Sequence, residues 1–114
     1  MTINRAVPDV PCADIEAGKR FYGLLGFEEV MNLGWVVVMA SPTTPGAQVI
    51  LIAADPSGMH PVMSIEVDDV DAAHAAMRAD GADIVYEIRD EPWGVRRFFV
   101  RDPDGQIVNV VSHR

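Results

Sequence analysis

Histidines and a single cysteine are the side chains of this sequence that could bind a metal ion or act as nucleophiles. The histidines are His60, His74 and His113. His74 falls inside a predicted helix on its solvated side, His113 is the penultimate residue, and no second donor lies beside His60. Cys12 follows Pro11 with nothing nearby to stabilise a thiolate. These residues therefore indicate neither a metal site nor a nucleophile.

Two carboxylates and two tryptophans are stronger candidates, because they fall in or beside predicted strands. Strand alternation places Glu66 and Ser64 on the face turned away from the helix. Glu66 and Asp9 could each act as a general base or attract a cation, or could pair with a neighbouring basic residue. Trp35 begins a strand and Trp93 precedes one, where an indole ring lines a pocket or packs in the core.

Composition limits the protein classes that these residues could serve. The 114 residues, 49% of them hydrophobic, predict a single domain over residues 1–114. One cysteine excludes an internal disulfide, and no signal peptide or membrane segment is recognisable, so we expect a cytoplasmic protein. A net charge of −8 repels nucleic acid and anionic lipids and either draws a cationic ligand or simply maintains solubility.

The chain reads as two similar halves. The first has a strand at 3–10, a helix between Asp14 and Gly26, and three further strands. The second repeats this order, with a strand at 62–67, a helix between Asp69 and Gly81, and three strands. An aspartate that caps the helix and a glycine that ends it recur at the same spacing.

This repeat predicts an α+β fold of two tandem β-α-β-β-β units, at about 1–54 and 60–114. One unit cannot cover its own apolar strands, so we expect the units to form a curved mixed sheet with a helix behind each half. The concave face of such a sheet is a groove for a small ligand.

A hairpin places further candidates in this groove. A tight turn at 102–105 puts Asn109 opposite Phe98 and on the same face as Arg96. Arg96 then meets Glu66 across the groove, as a structural ion pair or as a clamp on a ligand.

Two segments resemble one known family over nearly the whole chain. VPDVPCADIEAGKRFYGLLGFEEV at 7–30 and EPWGVRRFFVRDPDGQIVNVVS at 91–112 are similar to the opening and closing motifs of the vicinal oxygen chelate superfamily. That superfamily includes glyoxalase I, extradiol dioxygenases, and fosfomycin and bleomycin resistance proteins. The resemblance implies the tandem fold and a homodimer.

The resemblance also identifies where metal ligands would stand. In metal-dependent members these positions fall here at Val7, Leu51, Val62 and Asn109. Two valines and a leucine offer no lone pair to a divalent ion, and one amide oxygen cannot replace three missing donors. We therefore expect no metal and no other cofactor.

The sequence thus predicts a metal-free protein of the bleomycin resistance kind, which sequesters a small cationic or aromatic antibiotic without altering it. Asp9, on the strand face of Val7, would add a carboxylate to the groove. The predicted ligand-binding residues are Asp9, Trp35, Glu66, Trp93, Arg96, Phe98 and Asn109. The alternative is a glyoxalase-like lyase, isomerase or dioxygenase of the same fold, with Glu66 or Asp9 as base.

Overall fold

A computed structural model describes residues 1–114 as eight strands and two helices in the predicted order. The elements are β1 (Ile3–Pro11), α1 (Ile15–Leu24), β2 (Glu28–Asn32), β3 (Val36–Ala40), β4 (Gln48–Ile52), β5 (Met63–Val67), α2 (Val70–Ala79), β6 (Ile84–Asp90), β7 (Val95–Arg101) and β8 (Ile107–His113). The α+β class and the tandem β-α-β-β-β order are confirmed. Neither helix has the length and hydropathy needed to cross a membrane.

Two compact units divide the chain. The first unit comprises residues 7–60, and the second comprises residues 1–6 and 61–114. The start of β1 therefore belongs to the second unit, although it precedes the first in sequence. Thr2 fixes this segment, because its backbone NH donates to Asp68 Oδ1 at 2.8 Å and its carbonyl accepts from the Asp68 NH at 3.0 Å.

The first unit has strand order β2-β3-β4-β1. β1 and β4 are parallel, and the remaining neighbours are antiparallel. Strand alternation gives this sheet two apolar faces. The face under α1 contains Val37, Met39, Val49 and Leu51. The opposite face contains Val7, Val36, Val38, Ile50 and Ile52.

Close approach of α1 to its sheet depends on one glycine. Asp14 caps the helix by accepting the Ala17 NH at 3.1 Å. One turn later, a Cβ at Gly18 would lie 2.5 Å from Cys12 Sγ and 3.2 Å from Leu51 Cδ1. A side chain at this position would therefore require Cys12 or Leu51 to shift.

The second unit has strand order β5-β8-β7-β6, with β5 and β8 parallel. Asp69 caps α2 through the Ala72 NH at 3.0 Å. The helix buries Val70 and Ala73 against one face of the sheet. Buried on that face are Val67, Phe98, Val100 and Val110. The helix-facing side of this sheet is thus the apolar core of the unit.

Two hairpins of the second unit use the same turn. In the β6–β7 hairpin, the Gly94 NH donates to the Glu91 carbonyl. In the β7–β8 hairpin, the Gly105 NH donates to the Asp102 carbonyl and the Asp102 NH donates to the Gln106 carbonyl. Gly105 has φ 88°, a left-handed conformation that lets one extra loop residue be accommodated as a bulge. The predicted pairing is therefore wrong by one residue, and Asn109 lies opposite Phe99, not Phe98.

Candidate ligand-binding face

Several polar side chains of the second unit's sheet lie on its face opposite α2, here named the distal face. Strand register places its members in two rows across the sheet, because directly paired residues share a face. One row runs Ser64, Asn109, Phe99, Tyr86 and the next runs Glu66, Val111, Arg97.

A buried ion pair anchors the distal face. Arg97 and Glu91 are 3% and 7% exposed. Glu91 Oε2 accepts hydrogen bonds from Arg97 Nε and Nη2, each at 2.8 Å, while Arg89 Nε lies 2.8 Å from Oε1. A buried carboxylate must be compensated in this way, since its desolvation otherwise costs several kcal/mol. The arrangement fixes the position of the Arg97 guanidinium.

Three aromatic rings surround that guanidinium. Arg97 Cζ lies 4.8 Å from the Trp93 ring centroid, 4.7 Å from Phe99 and 5.2 Å from Tyr86. Tyr86 also stacks on Phe99 at 4.7 Å. Cation–π attraction thus holds the rings and the cation in one rigid cluster.

Tyr86 joins the ring cluster to the ion pair. Its hydroxyl donates to Glu91 Oε2 at 2.8 Å. Burial raises the pKa of Tyr86 above its ordinary 10.0, and the hydrogen bond to the Glu91 carboxylate raises it further. The phenol therefore stays neutral and remains a hydrogen-bond donor.

Asn109 leaves one polar atom of this face unused. Its Nδ2 donates to Ser64 Oγ at 3.0 Å, but its Oδ1 is buried and accepts no hydrogen bond from the protein. An unsatisfied buried acceptor costs about 1–3 kcal/mol. A ligand that donates a hydrogen bond to this oxygen would recover that energy.

Glu66 is already paired. Its Oε2 accepts a hydrogen bond from Arg5 Nε at 2.7 Å, and His113 Nε2 lies 3.4 Å away. Of the two interpretations that the sequence left open, the paired carboxylate is the one observed. Arg96, the predicted partner of Glu66, contacts Asp71 instead.

Arg96 and Phe98 are corrected together, because the Gly105 bulge reverses the face that each presents. Phe98 is fully buried in the core under α2. Arg96 contacts Asp71 of α2, with Nη2 3.0 Å from Oδ1, and holds the pKa of that carboxyl below its ordinary 3.8. The two are therefore absent from the distal face.

The remaining predicted residues of the site lie in the first unit. Asp9 pairs with Ile50 in register and is buried on the face opposite α1. Trp35 packs against the apolar cluster on that face. Their roles in binding stay predictions.

The positions that align with metal ligands do not fit a divalent ion. Val7 packs in the cluster opposite α1, whereas Leu51 faces α1, so these two positions do not even share a face. Ile50 and Ile52, the neighbours of Leu51 in β4, share the face of Val7, but their side chains carry no metal-binding atom either. No group of three or more His, Cys, Asp or Glu side chains is placed to hold a metal.

Sequence reasoning missed the residues at the centre of this face: Arg97, Glu91, Tyr86 and Arg5. The sequences of the two hairpin turns could have revealed where Arg97 lies. Both Glu91-Pro92-Trp93-Gly94 and Asp102-Pro103-Asp104-Gly105 have proline second and glycine fourth. That pattern suits a type I turn followed by a glycine bulge, and it would have brought Arg97 to the distal face.

Comparison with known proteins gives one family match. The sequence model of the Glyoxalase/Bleomycin resistance protein/Dioxygenase superfamily matches residues 2–110. No curated protein matches significantly in sequence.

Several solved structures share the fold. A chain described as NAD-dependent benzaldehyde dehydrogenase from Legionella pneumophila superposes with TM-score 0.78 at 17% identity, over 96% of this chain and 99% of that one. A superfamily member from Vibrio splendidus 12B01 gives 0.64 at 24% identity, over 97% and 99%. Methylmalonyl-CoA epimerase from Mycobacterium tuberculosis gives 0.67 at 21% identity, over 98% and 87%. At these identities the likeness shows the fold alone.

Proposed function

Because the chain belongs to the glyoxalase/bleomycin resistance protein/dioxygenase superfamily, we propose that it binds a small aromatic molecule on the distal face without a metal and without altering it. The observation that carries the proposal is Asn109 Oδ1, a buried acceptor with no donor from the protein. It lies in the same row as Phe99 and Tyr86, so an aromatic ligand with a hydrogen-bond donor suits this surface.

Charge compensation supports an aromatic ligand over a cationic one here. Glu66 is paired with Arg5, and Arg97 already occupies the face of the Trp93 ring. A cationic guest over Trp93 would have to compete with a guanidinium that Glu91 fixes in place. The net charge of −8 would still speed the approach of a cation at low salt, but that field is screened beyond about 10 Å at 0.1 M.

An enzyme of this fold is the alternative function, and it lacks a comparable observation. Glu66, one of its two proposed bases, has its carboxylate engaged by Arg5 and His113. Asp9, the other, is buried in the first unit. A substrate would have to displace the partners of Glu66 before it could transfer a proton. Binding without chemistry needs no such rearrangement.

A matched pair of ligands tests the proposal. 2-Naphthol donates a hydrogen bond and 2-methoxynaphthalene does not, although their ring systems are the same. We expect 2-naphthol to raise the thermal midpoint more, because a ligand that binds only the folded state stabilises it. Asn109→Leu should abolish the difference between the two compounds. An equal response to both compounds in the unaltered protein would refute the proposed role of Asn109.

Tryptophan fluorescence locates the binding event. The chain has two tryptophans, so Trp35→Phe leaves Trp93 as the only indole and Trp93→Phe leaves Trp35. We expect 2-naphthol to quench Trp93 saturably. Quenching of Trp35 alone would instead indicate that the ligand binds to the first unit, where Asp9 and Trp35 remain the candidate binding residues.

A further inference from the structure

The second unit carries an apolar groove on the side of its sheet that faces α2, away from the distal face. Its volume is about 720 Å³, which falls within the range of small-molecule sites. The floor is aliphatic and includes Ile65, Val108 and Val110, while Met77 and Ala82 form one wall. No aromatic ring lines it.

A mismatch of lengths creates this groove. α2 has 10 residues and so spans about 15 Å, whereas β7 and β8 have 7 residues each and span about 23 Å. The apolar side of the sheet therefore extends past the end of the helix towards the β7–β8 turn. Met77, 41% exposed, is the last apolar side chain that α2 places over it. A thioether chain adapts readily to a guest.

The rim of the groove is acidic. Asp80, Asp83 and Asp102 line it together with one basic residue, Arg101. Arg101 Nε lies 3.3 Å from Asp83 Oδ2, and Asp102 Oδ1 accepts the backbone NH groups of the turn. Three carboxylates against one guanidinium leave the rim negative.

Asp80 is the least compensated of the three carboxylates. It caps the C-terminus of α2, where the helix carbonyl groups already present a partial negative charge. A carboxylate at this end of a helix is unfavourable by itself, and a nearby cation would relieve the repulsion.

We propose that this groove is a second ligand site that takes an amphipathic organic cation. The alkyl body would lie on Ile65 and Val108, and the ammonium group would lie at the rim among Asp80, Asp83 and Asp102. The aliphatic lining selects a saturated chain over a flat ring, and the rim selects positive charge over neutral or negative head groups.

Three compounds with the same chain test the proposal on the full-length protein. Octylammonium, 1-octanol and octanoate differ only in head-group charge and are compared by titration calorimetry below micelle-forming concentrations. We expect octylammonium to bind more tightly than 1-octanol, and octanoate to bind least. The Met77 methyl signal in NMR spectra should shift with octylammonium, and the Trp93 indole signal should not.

Charge variants at the rim separate local contact from overall acidity. Asp80→Asn should weaken octylammonium about two- to fivefold, the usual value of one exposed charge pair. Asp104→Asn is the matched control, since it removes the same charge from the β7–β8 turn but does not line the groove. Equal weakening by both variants, equal binding of octanoate, or a response at Trp93 in place of Met77 would each overturn the proposal.

Discussion

At the scale of single residues, Glu91 joins the buried polar groups of the second unit. This carboxylate is 7% exposed and accepts hydrogen bonds from Arg97 and Tyr86, with Arg89 beside its other oxygen. Its partners differ in burial, because Arg97 is inside the protein and Arg89 is at the surface. The value of each contact should therefore differ as well.

Removing the Glu91 charge should be costly. Glu91→Gln leaves the buried Arg97 guanidinium without the carboxylate that fixes it, and such losses cost about 3 kcal/mol. Arg89→Gln breaks only a surface pair and should cost at most about 1 kcal/mol. Urea unfolding of both variants measures the two values. Similar losses in the two variants would mean that burial does not strengthen the Arg97 contact.

Tyr86 provides a pH-dependent test of the same cluster. Its pKa is raised in the folded state, so the neutral phenol contributes stability below about pH 10 that is lost as pH rises through the folded value. In a Tyr22→Phe protein, Tyr86 is the only tyrosine. The phenolate absorption of that variant should have its midpoint above 10.0. A midpoint at or below that value would contradict the burial and hydrogen bonding described above.

Individual residues of the site were predicted less well than the strands that carry them. Alternation placed Glu66 and Ser64 correctly, because that inference needs only the position of the helix. The predicted sheet face of Arg96 and Phe98 was wrong, because a single extra residue in a turn shifts the strand pairing by one and so reverses which face each side chain is assigned to. Arg5 could not be predicted as the partner of Glu66, since nothing local to either residue indicates their pairing.

At the scale of elements, the capped helices and the repeated strand order followed directly from the sequence. Asp14 and Asp69 cap their helices as predicted, through bonds to residues three positions later. These features are local, so propensity and spacing are enough to reveal them. The division into units depends on contacts between distant parts of the chain, so no local pattern indicates that residues 1–6 belong with the second half.

Gly18 offers a test of helix packing. Gly18→Ala should destabilise the protein by about 1–3 kcal/mol, because the new Cβ would lie 2.5 Å from Cys12 Sγ. Gly23→Ala in the same helix meets nothing within 4 Å and should stabilise by up to about 1 kcal/mol. Thermal unfolding distinguishes these opposite signs.

A double variant identifies the cause of that loss. Adding Cys12→Ala to Gly18→Ala removes the sulfur and should restore much of the lost stability. If the double variant is no more stable than the sum of its single changes predicts, crowding against Cys12 is not the reason.

At the scale of the whole molecule, we propose that the protein forms a homodimer. Phe21, Leu24 and Leu25 are 60%, 89% and 70% exposed and lie next to one another at the end of α1. Sedimentation equilibrium at micromolar concentration should give twice the monomer mass. Leu24→Glu should shift the protein to monomer, whereas a monomeric unaltered protein would disprove the expectation.

Strand β2 is the exposed edge of the first unit's sheet. All five of its residues are exposed, and its outer backbone groups could pair with another chain and begin aggregation. Lys19 of α1 lies 2.8 Å from Glu29 of this strand and holds the pKa of that carboxyl below 4.5. Glu29 therefore keeps its charge further into the acid range and continues to oppose such pairing. We therefore expect Lys19, a helix residue, to limit aggregation through β2 at low pH.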